Sequence, residues 1–210
     1  MAFDYKKEYK EFYMPKKNPS IITIPKVNYL AVRGKGDPNE EGGQYKESIE
    51  LLYGVAYTIK MSNKGNYRIS GYFEYVVPPL EGFWWQDKIK GVDYTKKEAF
   101  KFISILRLPD FVTKEDFNWA IQEVSKKKKK DFSKVEFLTY DEGVCVQCMH
   151  IGSYDNEPIT VKLMEDYAKN NGYKIDISGT RHHHEIYLSD PRKCNIDSLK
   201  TVIRHPIKEI

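Results

Sequence analysis

Val27-Asn28-Tyr29-Leu30-Ala31-Val32-Arg33, closed by Gly34-Lys35-Gly36-Asp37-Pro38, is the stretch from which the fold is read. Its β-branched and aromatic residues alternate with polar ones, the pattern of a strand, and the glycines and proline end it in a turn. Behind it stand Tyr45, Ile49, Leu52, Tyr53, Ala56 and Ile59, spaced as one face of a helix. The same plan returns in the second half. Gly143 to Ile151 predicts a strand that stops at Gly152, and Ile159, Leu163, Met164 and Tyr167 predict a helix ending at Asn171-Gly172. Ala31-Val32-Arg33-Gly34 is answered by Met149-His150-Ile151-Gly152, and Glu74-Tyr75-Val76-Val77-Pro78 by Glu185-Ile186-Tyr187-Leu188-Ser189. The expected class is α+β: strand–helix–strand–strand, twice, with antiparallel sheets, helices on one side and a central pocket between the units.

The other elements fill in around this repeat. Residues 1–19 read as a helix or arm running to Met14-Pro15, followed by one domain over 20–210 with pseudo-repeats at about 20–108 and 132–210. Strands are expected at Ile21 to Pro25, Gly71 to Val77, Phe83 to Trp85, Phe100 to Leu108, Val135 to Tyr140, His182 to Leu188 and, as a short last strand, Leu199 to Ile203. A charged turn is expected around Asp87 to Gly91. Thr113-Lys114-Glu115-Asp116 has the form of a helix N-cap with acids in the first turn, and Phe117, Ala120, Ile121 and Val124 follow at helical spacing.

Composition removes several functions. The 210 residues carry 34 Lys+Arg against 30 Asp+Glu, a net charge of +4, and no run approaches the roughly 18–20 apolar residues of a membrane span. Lys126 to Lys130 suits the negative end of a helix dipole, and no basic motif elsewhere reinforces it, so direct nucleic-acid binding is not expected. The three cysteines, Cys145, Cys148 and Cys194, and a start without a secretory signal fit the cytoplasm. At 14 % aromatic, the chain holds more rings than a core ordinarily uses, which points to an aromatic-lined site for a planar hydrophobic or cationic small molecule.

Glu185 is the leading candidate for chemistry. On a strand it shares a face with His183 and Tyr187, while His184, Ile186 and Leu188 point the other way and are the better core face. A carboxylate there serves as a general base or binds a cation, or else it is an ordinary partner of Arg181 or Arg204. Glu74 occupies the matching place in the first half, with Tyr72 on its face, and equally suits a lysine across the sheet. Trp84 and Trp85 are adjacent on a strand, so at most one belongs to a given face. His182-His183-His184 lacks recognisable zinc spacing, Cys145-x-x-Cys148 lacks a helix start, and Gly34-Lys35-Gly36 lacks the dinucleotide fingerprint, so neither metal nor cofactor is expected.

Four blocks in order resemble the GyrI-like small-molecule-binding family: Pro79-Leu80-Glu81-Gly82-Phe83-Trp84-Trp85; Met149-His150-Ile151-Gly152-Ser153-Tyr154-Asp155-Asn156-Glu157-Pro158; His184-Glu185-Ile186-Tyr187-Leu188-Ser189-Asp190-Pro191; and Thr201-Val202-Ile203-Arg204-His205-Pro206. The likeness is to stand-alone members, for no helix-turn-helix fits ahead of residue 20, and Phe83 stands where leucine is commoner. It implies a tandem fold around a pocket. It also implies either sensing of bulky cationic drugs or hydrolytic opening of the cyclopropane ring in DNA-alkylating cyclopropanoid antibiotics. On that likeness Glu185 is the catalytic glutamate and Trp84 and Trp85 wall the substrate. Tyr187, Tyr140 or a histidine such as His183 would face the developing oxyanion, with Tyr72 and Glu74 as further lining. A protein-interaction role toward gyrase is the remaining implication.

Overall fold

The computed structural model describes residues 2–89 and 92–210, so Lys90 and Gly91 of the expected turn lie outside the described residues. Two short helices, α1 (Tyr5–Glu8) and α2 (Lys10–Tyr13), precede β1 (Ser20–Ile24) and β2 (Val27–Lys35). Then come α3 (Gln44–Met61), β3 (Leu80–Trp85), β4 (Lys101–Arg107) and α4 (Lys114–Lys128). The second half holds β5 (Glu136–Tyr140), β6 (Gly143–Ile151), α5 (Glu157–Asn170), β7 (Tyr173–Ile175), β8 (His183–Tyr187) and β9 (Lys200–Glu209).

The strands form one antiparallel sheet in the order β1-β6-β9-β8-β3-β4-β2-β5, with β7 added to β9. This order is symmetric about the β8–β3 contact. Each half contributes three strands around its helix, and each sends one further strand, β1 or β5, to pair with the other half. Only Pro25 and Lys26 separate β1 from β2, a reach of roughly 11 Å. Because those strands stand near opposite ends of the order, the sheet curls until its ends approach each other.

Register divides the sheet into two faces. Val32, Ser104, Gly82, Glu185, Ile203 and Cys148 form one continuous cross-strand row. That face carries the three long helices, α3, α4 and α5. Leu51, Leu52 and Val55 of α3 and Ala120 and Val124 of α4 pack on Leu30, Val32 and Leu106, while Met164 and Ala168 of α5 pack on Val146, Cys148 and Ile203. Each fully buried leucine or valine here stabilises the fold by about 1.5–3 kcal/mol. The opposite face, with the row Ala31, Ile105, Glu81, Ile186, Val202 and Met149, is covered in part by Tyr5 and Tyr13 of the N-terminal segment. The expected cap before α4 is a full capping box, Thr113 and Asp116 bonding each other's backbone N–H.

Three expectations are corrected. Gly71 to Val77 is not a strand: Gly71 is in the left-handed region (φ 72°), Pro78 and Pro79 supply no N–H, and one bridge from Tyr75 to Phe3 is its only pairing among the described residues. β3, with Glu81 rather than Glu74, takes its place in the sheet. The last strand is far longer than Leu199 to Ile203, because Pro206 sits in the gap where β9 leaves β8 and begins to pair with β7. The three-residue β7 was not expected at all.

Candidate functional site

β8 and β3 meet at the centre of the sheet, and their alternation supplies the site's floor. Gly82 and Trp84 stand opposite Glu185 and His183 on the face that carries the helices. Trp84 Nε1 donates to Tyr187 Oη at 2.8 Å. Glycine is required at 82: a Cβ there would lie 2.7 Å from the Trp84 indole nitrogen and 3.3 Å from Tyr187 Oη. Four half-buried tyrosines from four places in the chain surround this floor: Tyr45 of α3, Tyr94 before β4, Tyr154 before α5, and Tyr187 itself. Tyr45 packs on Trp84 with ring centres 5.2 Å apart, and Tyr154 meets Tyr187 edge to face at 6.0 Å.

Inside the ring of phenols lies a cluster of ionisable groups. His183 Nε2 is 2.9 Å from Glu185 Oε1 and 3.7 Å from Glu157 Oε2. Tyr94 donates to that Glu157 oxygen at 2.7 Å, and His183 Nδ1 is 2.7 Å from His205 Nε2. Glu157, at the start of α5, is fully buried, whereas Glu185 keeps 7 % of its surface open. Burial, and then the adjacent Glu185 carboxyl, push Glu157 well above the usual carboxylate range. Its Oε1 has no hydrogen-bond partner among the described residues. Burial raises Tyr45 and Tyr187, and burial and then Glu185 raise Tyr154 to about 12, so these side chains remain phenols able to donate. Burial and then His183 drive His205 well below the usual imidazole range, so it stays neutral. Glu157, His183 and Glu185 also offer ligand atoms within 4.8 Å of one another, a donor set able to hold a metal ion.

The sequence-selected residues divide evenly. Glu185, Tyr187, His183 and Trp84 converge on this floor. Trp85 and Tyr140 lie on the opposite face of the sheet. Trp85 stacks on His182 with centres 4.3 Å apart, and Tyr140 packs beside Phe83 while its hydroxyl donates to the Thr180 carbonyl. Tyr72 donates to the Lys60 carbonyl from the irregular segment before β3, and Glu74 is exposed there. Trp85, Tyr140, Tyr72 and Glu74 are thus not brought to Glu185. Glu157, His205, Tyr45, Tyr94 and Tyr154 were not anticipated. Tyr154, Glu157 and His205 do fall inside the family-like blocks, and that placement was the available signal.

The opposite face proves equally charged, against the expectation that His184 belongs to an apolar core face. His184 sits between Glu81 and Glu142, 3.0 Å from each, and Arg204 bonds Glu142 at 3.1 Å and Gln147 at 3.2 Å. Tyr13 donates to Glu81, and Arg204 to the Phe12 carbonyl, which ties the N-terminal segment to this network. A groove of about 1000 Å³ runs elsewhere, along α3 and α4 beside Tyr53, Tyr57, Tyr67 and Trp119, and contains none of the residues selected from sequence.

Residues 17–208 match the GyrI-like small molecule binding domain, and the chain belongs to that family. No curated protein matches it. Among solved structures it is similar to an uncharacterized conserved protein from Listeria innocua, at 46 % identity and TM-score 0.92 over 99 % of this chain and 100 % of that one. It is likewise similar to a hydrolase from Listeria innocua, at 45 % identity and TM-score 0.90 with the same coverage. The EcmrR C-terminal domain shares the fold alone, at 14 % identity and TM-score 0.55, over 92 % of this chain and 98 % of that one. Among the described residues no helix is long and apolar enough to cross a membrane.

Proposed function

We propose that this protein is a detoxifying hydrolase that adds water across the cyclopropane ring of cyclopropanoid DNA-alkylating compounds. The observation that carries the reading is Glu185: a carboxyl group barely open to solvent, bonded to His183, beside the fully buried Glu157 and ringed by phenols and Trp84. The family's small-molecule binding and the 45 % identical hydrolase support it.

In this reading the flat substrate lies among Tyr45, Trp84, Tyr154 and Tyr187, an electron-rich setting worth about 0.5–1.5 kcal/mol per aromatic pair. Glu185 takes a proton from water as the oxygen attacks the less hindered ring carbon. The strained C–C bond breaks, and its electron pair moves through the conjugated dienone to the carbonyl oxygen. That oxygen becomes a phenolate and then a phenol on taking a proton, so the net change is addition of one water. Tyr187, its oxygen already accepting from Trp84, is placed to donate to the oxygen as charge develops. Action in the cytoplasm, before the compound reaches DNA, would protect the cell.

The same aromatic ring around a carboxylate suits capture of planar cations without chemistry. Incubating the protein with a tenfold excess of a cyclopropane-bearing dienone alkylator, followed by mass spectrometry, separates the two. Conversion of the whole excess to a product heavier by one water is expected. Protection of one equivalent, with the compound unchanged, would mean a sequestering binder.

A further inference from the structure

We infer that His205 is a positioning residue: it locks His183 into the tautomer whose Nε2–H donates to Glu185, and so holds Glu185 as an aligned carboxylate. The inference deepens the hydrolase reading and rests on it for the role of Glu185.

His205, on β9, is 2 % exposed and projects from the same sheet face as Glu185. Its Nε2 and the Nδ1 of His183 are 2.7 Å apart, so one imidazole donates and the other accepts. If His205 donates, His183 accepts at Nδ1 and carries its proton on Nε2, directed at Glu185 Oε1 2.9 Å away. The leftover His205 Nδ1 is then a bare acceptor, and every N–H of the pair is satisfied. If His183 donates instead, its Nε2 lone pair faces Glu185 Oε1 at 2.9 Å and Glu157 Oε2 at 3.7 Å. His205 must then carry its proton on Nδ1, which is buried without a partner among the described residues. That second arrangement loses a charge-assisted bond and strands a buried donor.

Every neighbouring group agrees with the first arrangement. Glu157 from α5 accepts from Tyr94 through the oxygen that lies 3.7 Å from His183 Nε2, too far for a hydrogen bond, so it makes no demand on His183. His205 reaches Glu185 only through His183. Its side chain therefore sets the geometry of the base without touching substrate.

Two-bond ¹H–¹⁵N correlation spectra of histidine-labelled protein read the tautomer directly, with His183 assigned by comparison to His183→Gln. The unaltered protein is expected to show His183 and His205 both protonated at Nε2 only. His205→Phe removes the donor, so His183 should become a tautomer mixture. kcat for the cyclopropane substrate should fall by roughly 10- to 100-fold at unchanged KM, the size typical of residues that orient a functional histidine. His205→Gln retains an amide donor and should restore both the Nε2–H signature and most of kcat. A native His183 protonated at Nδ1 would overturn the inference, whether or not the variants fold. So would a His205→Phe enzyme with mixed tautomers and full kcat. If the native protein turns over no cyclopropane, the hydrolase reading fails while the spectra still decide the lock.

Discussion

His183 and His184 are neighbours on one strand, yet they serve opposite ends. His184 has a carboxylate on each nitrogen, Glu81 and Glu142, and Arg204 completes the charge balance, with Gln147 and Tyr13 taking the remaining bonds. Every formal charge in that network has a partner, and burying such a network costs desolvation that good geometry returns. On the other face, His183 leads to two neighbouring buried carboxyl groups, one of whose oxygens has no partner among the described residues, and a ring of phenols. A saturated buried network is a structural device. An unsaturated one that opens slightly to solvent is where the proposed chemistry is sought.

The sharpest way to break this contrast is to neutralise one member on each face. Glu185→Gln should lower turnover by about 10²–10⁴-fold, the contribution of a positioned general base, with little change in thermal midpoint. His184→Phe should do the reverse: it leaves two buried carboxylates facing Arg204 alone and should cost about 3–5 kcal/mol in urea unfolding. If His184→Phe folds as stably as the native chain, the claim of a structural network fails.

Acid and alkali should also separate the faces. Burial raises Glu142, but His184 and Arg204 outweigh it and hold the carboxyl at about 2. A depressed carboxylate contributes stability above its unfolded pKa, so stability should fall as pH drops from about 4.5 toward 2, by about 3 kcal/mol in all. Glu157 is shifted upward, so its folded form binds the proton more tightly, and its contribution is lost as pH rises above about 4.5. Glu157→Gln should therefore gain on the native protein with rising pH, read from urea midpoints at pH 5 and pH 8. A constant difference between the two would mean that Glu157 is ionised in the fold. The smallest expected effect sharpens the contrast within one dipeptide. Trp84→Phe removes the donor to Tyr187 and should reduce kcat by up to about tenfold, while Trp85→Phe should leave it within about twofold.

Much of this contrast could be read from the chain. Period-two alternation placed His183, Glu185 and Tyr187 on one face, and the repeated strand–glycine–helix pattern pointed to the α+β arrangement, although the short α1 and α2 cover the face opposite α3, α4 and α5. The same rule separated Trp84 from Trp85 but could not say which faced Glu185, since that depends on the β3–β8 register. Glu74 was chosen by analogy with Glu185, and the analogy broke because Pro78 and Pro79 displace the strand toward Leu80–Trp85. Tyr45, Tyr94 and Tyr154 lie far apart in sequence and on different elements, so only tertiary packing gathers them. Glu157 sits in an acidic first turn, where a carboxylate ordinarily needs no explanation beyond the helix dipole. His184 looked like core because burial was correctly expected, but the partners that make a buried histidine affordable, Glu81 and Glu142, come from other strands.

The most direct test is a single turnover with enzyme in excess over a cyclopropane-bearing dienone in ¹⁸O-labelled water. With Glu185 acting as base on water, the ring-opened product should carry one ¹⁸O in its new hydroxyl group from the first turnover. An unlabelled product, its oxygen drawn from the carboxylate through an ester, or no ring-opened product at all, would contradict that role for Glu185.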